Sequence, residues 1–260
     1  MAAERAAWVL ATIEAAEGSA PRGPGAWMRV FANTVEGSVG GGALEHRAIA
    51  RARAMLREGA GPGAGAETLT LPLGPDLGQC CGGRVRLRLE PGGDAGPLAA
   101  AEAAARPVAM IHGAGHVGRA LAAALALLPV RTVVLDGRES ELAQAPGAVE
   151  RRLTALPEAE VAAAPAGAAH VVTTHDHGLD FLIATAALAR GDAAYVGLIG
   201  SATKRARFER FARGRGVDPA PLVCPVGAMG GAGLADKRPA VIAAMVAAEL
   251  MAAFAAARGG

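Results

Sequence analysis

Thiols, lysines and aromatic rings are all scarce in this 260-residue chain. It has three cysteines, its only lysines are Lys204 and Lys237, and aromatics make up 3% of the residues. With so few rings, a core has to be built from Leu, Val, Ile, Met and Ala, although hydrophobic residues total 52%. The net charge is only +2, without the dense basic patch that a nucleic-acid or membrane-surface binder carries. No uncharged apolar run reaches the ~18–20 residues that a bilayer span needs. The opening "MAAERAAWVLATIEAAEG" carries Glu4, Arg5 and Glu14 where a signal peptide needs an apolar core, so no secretory leader is expected. These absences together predict a cytoplasmic protein, with no nucleic-acid or membrane partner and no structural disulfide. The cysteine spacing also fits no common zinc pattern.

The length suits one large or two medium domains with a real core. Trp8, Leu10 and Ile13, with small alanines between them, read as a helix over 3–17. Met28 and Val30 read as a strand, and "GSVGGG" at 37–42 runs into the helix "ALEHRAIARARAML". In "GRVRLRLE", Val85, Leu87 and Leu89 alternate with Arg84, Arg86 and Arg88, the period-2 pattern of a half-buried strand with its arginines toward solvent. Residues 91–106, "PGGDAGPLAAAEAAAR", read as a linker between a domain over 1–98 and another over 107–260. From 107 onward, short apolar strands alternate with helices, which means a parallel sheet covered on both faces. The last helix is given Asp236 as its N-cap and Pro239 in its first turn. The predicted fold class is α/β: a C-terminal Rossmann-like parallel sheet with helices on both faces, plus a smaller N-terminal α+β domain.

Gly113, Gly115 and Gly118 form G-x-G-x-x-G, with His116 inside the pattern. The pattern follows an apolar strand and opens a helix, and Asp136 closes the next strand 18 residues after Gly118. This is the full context of a nucleotide-binding turn, with a helix N-terminus facing an anion and an acid placed for ribose hydroxyls. Backbone N–H groups and a helix dipole serve any phosphate, so the turn does not require NAD.

Three more polar clusters fall at the carboxyl ends of strands, where open parallel sheets bind ligands. One holds Thr174, His175, Asp176, His177 and Asp180; a second holds Gly200, Ser201, Lys204, Arg205 and Arg207, with Ser201 as a helix N-cap; the third holds Cys224 and Lys237. His175 and His177 suit either a metal or ordinary loop hydrogen bonding. The basic run suits either phosphate or solvent. His46 is ordinary.

"LGQCCGGRV", residues 77–85, places Gln79, Cys80 and Cys81 between glycines. Adjacent cysteines rarely bond to each other, because the small ring strains disulfide geometry. A glycine-flanked thiol is accessible, and nearby N–H groups lower its pKa, so it can grip a soft metal or a sulfur atom. The other reading is a small buried core pair.

With "GSAPRGPGAWMRV", "GSVGGGALEHRAI", "LGPDLGQCCGGRV", "GAGHVGRAL", "VVTTHDHGLD", "YVGLIGSATKRARFERF" and "DKRPAVIAAMVAAEL", the chain resembles the xanthine dehydrogenase accessory proteins, the XdhC/CoxI family, over nearly its whole length. It departs around 224–237, where that family's loop is expected to be shorter and to hold a proline. The resemblance implies a carrier rather than a dehydrogenase. Such a carrier binds the molybdenum cofactor (molybdopterin), holds it while a terminal oxo ligand is exchanged for sulfur from a cysteine desulfurase, and delivers it to the large subunit of a xanthine dehydrogenase-type enzyme.

On that reading Cys80 and Cys81 contact the molybdenum end, and the turn of Gly113, Gly115, His116 and Gly118 holds the phosphate. Gln79, Asp136, His175, Asp176, His177, Ser201 and Lys204 complete the set. A nucleotide is a second candidate ligand for the turn. The competing function is an NAD(P)-dependent oxidoreductase with His175 or His177 as acid/base; a third is a scaffold that docks partners. A homodimer is the default assembly.

Overall fold

Residues 7–73, 83–228 and 235–259 are described by the computed structural model, and they fall into two units, Met1–Ala105 and Arg106–Gly260.

In the first unit the strands are β1 (Trp8–Glu17), β2 (Trp27–Phe31), β3 (Val35–Gly37), β4 (Glu67–Leu73) and β5 (Gly83–Pro91), with helices α1 (Gly42–Arg57) and α2 (Gly96–Ala104). The strands pair antiparallel in the order β3-β2-β1-β5-β4. Leu44, Ala48, Ala52 and Met55 of α1 pack with Val9, Ile13, Met28, Val85, Leu87 and Leu89 of the sheet. Arg84, Arg86 and Arg88 lie on the exposed face, as their alternation predicts.

The helix expected over 3–17 is instead β1, the middle strand. Val9, Leu10 and Ala11 are all buried, and the register with β5 shifts between Ile13 and Ala15. A bulge resets the two-residue alternation, so the spacing of Trp8, Leu10 and Ile13 passes for a helical period. The stretch read as a linker contains α2. The "GSVGGG" loop folds over Glu45, whose Oε2 accepts from Ser38 Oγ and from the N–H groups of Val39 and Gly41.

The second unit runs β6 (Val108–His112), α3 (His116–Leu125), β7 (Arg131–Asp136), α4 (Glu139–Leu142), β8 (Glu150–Leu153) and α5 (Pro157–Ala162), then β9 (Ala169–Val172), α6 (His177–Arg190), β10 (Tyr195–Leu198), α7 (Ala202–Arg213), β11 (Leu222–Val223) and α8 (Pro239–Gly259). Every pair is parallel, in the order β11-β10-β9-β6-β7-β8. Counted along this unit alone, that is the 3-2-1-4-5-6 order of a doubly wound nucleotide fold. The order reverses between β6 and β9, so the switch point lies where Gly113 meets Thr173. The α/β class with a Rossmann-like half and a separate antiparallel sheet is as the sequence predicts.

One face of this sheet packs on α3 and α8 through Ile111, Val134, Leu121, Leu125, Val246 and Leu250. By length and composition α8 could cross a membrane; here Ala243, Val246, Leu250 and Phe254 form a buried stripe. Glu249, on α8, accepts from Tyr195 Oη at 2.7 Å and from Gly227 N at 2.9 Å. Asp236 is not the cap of α8. The carbonyl of Arg238 accepts the first helical bonds, from Val241 and Ile242, while Asp236 accepts from the N–H and guanidinium of Arg238.

Candidate functional site

The glycine turn follows directly from the close approach of β6 to β9. Gly113 sits at φ +114°, and a Cβ there would lie 2.6 Å from the Thr173 carbonyl oxygen. A Cβ on Gly118 would lie 1.9 Å from the carbonyl oxygen of Gly113, so α3 could not pack against the turn. Gly115 differs: nothing lies within 4 Å of where its Cβ would be. It is the N-cap of α3, and no side chain caps that helix. The first turn of α3 thus has no side-chain cap, the arrangement that can receive an anion. His116 is exposed at the start of the helix.

Asp136, at the end of β7, is already engaged. Its Oδ2 accepts from Ala114 N at 2.8 Å and Arg138 Nη2 at 3.1 Å, and its Oδ1 accepts from Arg138 N and Nε, each at 3.0 Å. Burial opposes its ionisation, yet the Arg138 guanidinium and the two backbone donors hold the carboxyl below its ordinary value. The carboxylate thus ties the glycine turn to the β7–α4 corner. A ribose diol would have to displace Arg138 to reach it.

Two cavities open at this end of the sheet and share Thr174 and His175. The smaller, about 270 Å³, lies between Gly113, Asp136 and Arg138 on one side and Pro157, Leu179 and Ile183 on the other. The larger, about 790 Å³, is lined by His177, Ser201, Lys204, Pro225, Lys237 and Ile242 among others. The structure thus brings Gly113, Asp136 and His175 to the first cavity and His175, His177, Ser201 and Lys204 to the second. Gln79, Cys80 and Cys81 lie outside the described residues.

Asp176 works as the N-cap of α6, accepting from Gly178 N at 2.7 Å and Leu179 N at 3.1 Å; those two bonds hold its carboxyl below the usual value. Ser201 caps α7 in the same way, accepting from Lys204 N. Lys204 reaches the fully buried Asp180, whose Oδ2 lies 2.5 Å from Nζ. Thr174 donates to the other oxygen of Asp180 through Oγ1 at 2.6 Å and through its N–H at 3.2 Å. Arg205 bonds Glu209 and the carbonyls of Leu222 and Cys224, so it braces the sheet edge. Cys224 is buried, and burial pushes its thiol pKa up. Among the described residues no group of three or more His, Cys, Asp or Glu could hold a metal ion.

Sequence reasoning missed one pair. His112, the last residue of β6, and His170 on β9 are each 1% exposed, and their rings stack with His112 Nε2 3.1 Å from His170 Nδ1. Burial drives the pKa of His112 down to about 3 and that of His170 down to about 4. His112 Nδ1 has no hydrogen-bond partner among the described residues. The available signal was a histidine within each of two otherwise apolar parallel strands, "VAMIH" and "AHVV".

A pH dependence follows. Unfolded histidines titrate near ~6.5, so on acidification the unfolded chain takes up protons that the folded pair refuses. Stability is full above about pH 6.5 and falls as the pH drops toward the folded values. Urea midpoints between pH 7 and pH 4.5 should show this loss, and a His112→Phe/His170→Phe protein should lose less.

A family model described as the XdhC Rossmann domain matches residues 109–250, and one described as the XdhC and CoxI family matches residues 1–66. Among solved structures, one described as a xanthine dehydrogenase from Bacillus halodurans aligns with a TM-score of 0.72 at 20% identity, covering 98% of this chain and 94% of that one. At that identity the likeness speaks for the fold. A structure of chuY from E. coli aligns with a TM-score of only 0.30 over 42% of this chain and 61% of that one, at 16% identity, and carries no weight. No curated protein matches this chain.

Proposed function

The chain belongs to the XdhC family, and from that premise we propose that it is a maturation factor for a xanthine dehydrogenase-type enzyme, carrying the molybdenum cofactor to it. The observation that carries this reading is the turn at Gly113 and Gly118, which no side chain could replace, set before the uncapped N-terminus of α3. Molybdopterin bears a phosphate, and the open N–H groups beyond Gly115 suit that anion. Lys237 and His177 on the neighbouring cavity add positive or hydrogen-bonding groups for a second polar end, beside Lys204, whose ammonium is held by Asp180.

When bound, the cofactor supplies a molybdenum centre at which an oxo ligand is exchanged for sulfur. The protein's share is to bind, orient and release it. Cavities open to solvent suit a carrier that must give up its cargo. The sulfur donor would be a cysteine desulfurase, the recipient the large subunit of the client enzyme, and the assembly a homodimer. Cys80 and Cys81 enter as thiol contacts to the molybdenum end on the family resemblance alone.

The oxidoreductase reading draws on the same strand order and on Asp136. Against it stands the carboxylate's full set of donors within the chain, which leaves a ribose diol no free acceptor.

The experiment is cofactor retention. Isolated molybdopterin is added to wild type, Cys80→Ala and Cys81→Ala, and the pterin that stays bound after gel filtration is measured. Retention by wild type with loss in at least one variant is expected. Equal retention in all three would remove the thiols from the site, and no retention in wild type would remove the carrier function.

A further inference from the structure

The peptide groups of the glycine turn can be accounted for one by one, and the account ends on a side chain that lines neither cavity. Gly113 N donates to Leu135 O at 2.7 Å, and His112 O accepts from Thr173 N at 2.8 Å, so the end of β6 is held to both neighbouring strands. Past that point side chains take over. Ala114 N donates to Asp136 Oδ2 at 2.8 Å, and Ala114 O accepts from Arg119 Nη1 at 2.7 Å. Arg119 is itself held by Glu141, whose Oε2 lies 2.6 Å from Nη1. The carbonyl of Gly113 is left, and its one donor among the described residues is Thr173 Oγ1, at 3.1 Å. That hydroxyl also lies 3.3 Å from His112 O, but it has a single proton, and His112 O already has the Thr173 N–H.

The geometry of the peptide unit turns these bonds into aim. In a trans peptide the C=O and the N–H share one plane and point in opposite directions. The Gly113–Ala114 plane is held at both ends, by Thr173 at the oxygen and by Asp136 at the nitrogen. The Ala114–Gly115 plane is held at its oxygen by Arg119, which sets the direction of the Gly115 N–H. Among the described residues nothing accepts that N–H. Gly113 is the weak point of the turn. At φ +114° it occupies backbone space that glycine alone enters freely, and the same permissiveness lets its peptide rotate. Without a donor on the Gly113 carbonyl, Asp136 alone resists that rotation, and the planes that follow turn with it.

We propose that Thr173 is a positioning residue, whose hydroxyl locks the Gly113 peptide and so presets the turn for an anion. Thr173 is buried and lines neither cavity, so its effect on a ligand runs through the turn. The inference rests on the reading of this turn as a phosphate site and adds the group that organises it. A turn ordered in advance binds more tightly than one that has to be ordered on binding, so the effect is read in affinity.

The test compares wild type, Thr173→Val and Thr173→Ser as full chains. Inorganic phosphate and isolated molybdopterin are the probes, each in a calorimetric titration, with urea midpoints alongside. Valine keeps the branched shape and loses the hydroxyl; serine keeps the hydroxyl and loses a methyl group. Phosphate binding is expected to weaken roughly tenfold in Thr173→Val, as for one lost hydrogen bond, and to stay within about twofold of wild type in Thr173→Ser. Serine thus rescues affinity whatever the missing methyl does to the urea midpoint, which a purely structural role would not allow. Should the valine protein fail to fold, Thr173→Ala removes the same hydroxyl without a branched chain and should show the same loss of affinity.

Wild-type phosphate affinity in Thr173→Val, or equal weakening in Thr173→Val and Thr173→Ser, would overturn the role of the hydroxyl. The expected phosphate pattern without molybdopterin binding to wild type would uphold Thr173 and overturn the carrier function. Failure of wild type to bind phosphate would overturn the turn as an anion site, and the role of Thr173 with it.

Discussion

Lys204→Met is expected to lower the stability of the Rossmann unit by about 3–5 kcal/mol, the range for removing one partner of a buried ion pair. Asp180 is fully buried and Lys204 is 12% exposed, so water cannot replace the lost ammonium. The two hydrogen bonds from Thr174 persist, but they do not neutralise the charge. In a Lys204→Met/Asp180→Asn protein the amide can still accept from Thr174, and no charge is stranded. The double variant should recover a large part of the loss, as urea unfolding at pH 7 would show. A single variant with wild-type stability would mean that the pair is not formed in solution.

This pair changes how the basic run on α7 is read. Its lysine anchors Asp180, Asp180 anchors Thr174, and Thr174 lines both cavities. Lys204 therefore positions the loop between the two cavities in addition to lining one of them.

The second large effect separates two glycines of one motif. Gly118→Ala forces a methyl group to within 1.9 Å of a carbonyl oxygen, so α3 must shift off the sheet. Overpacking of this kind costs about 1–3 kcal/mol and sometimes more, and phosphate binding should disappear with it. Gly115→Ala meets nothing within 4 Å and keeps an ordinary extended backbone, with φ at −68°. Its stability cost should stay near the ~1 kcal/mol of a poorer N-cap. The new methyl nevertheless lies on the open side of the turn, where a ligand would approach. Ligand binding should weaken in Gly115→Ala at nearly unchanged stability. Calorimetric titration of both variants, with thermal unfolding alongside, separates these outcomes. Unaltered binding in Gly115→Ala would place the ligand elsewhere.

The Rossmann half was legible because its signals are local. Its central strands are short apolar runs and its glycine spacing is set by one close approach, whereas the edge strand β8, with Glu150, Arg151 and Arg152, carries no apolar signal and goes unread. The N-terminal half was harder, because its middle strand is bulged and buried near its start, which erases the alternation that identifies a strand. The "GSVGGG" loop reads only as the lead into a helix, and nothing in its glycines tells that the N–H groups of Val39 and Gly41 serve Glu45. At the site, the residue types were readable but their partners were not. Nothing in the spacing of Asp136 tells that Arg138 will fold back onto it. Nor does any local pattern join Lys204 to Asp180, 24 positions away, or His112 to His170, 58 positions away. The last pair exists because parallel strands bring distant positions side by side, and Lys204 meets Asp180 because α6 and α7 start beside each other after the neighbouring strands β9 and β10.

The central claim is that the Rossmann unit receives a phosphorylated pterin rather than a nicotinamide dinucleotide. The direct measurement is to purify the protein from cells that make the molybdenum cofactor, denature it, and identify the released small molecule by fluorescence and mass spectrometry. The account predicts an oxidised pterin, released by wild type and depleted in Gly118→Ala. Release of a nicotinamide dinucleotide, with no pterin, would contradict it.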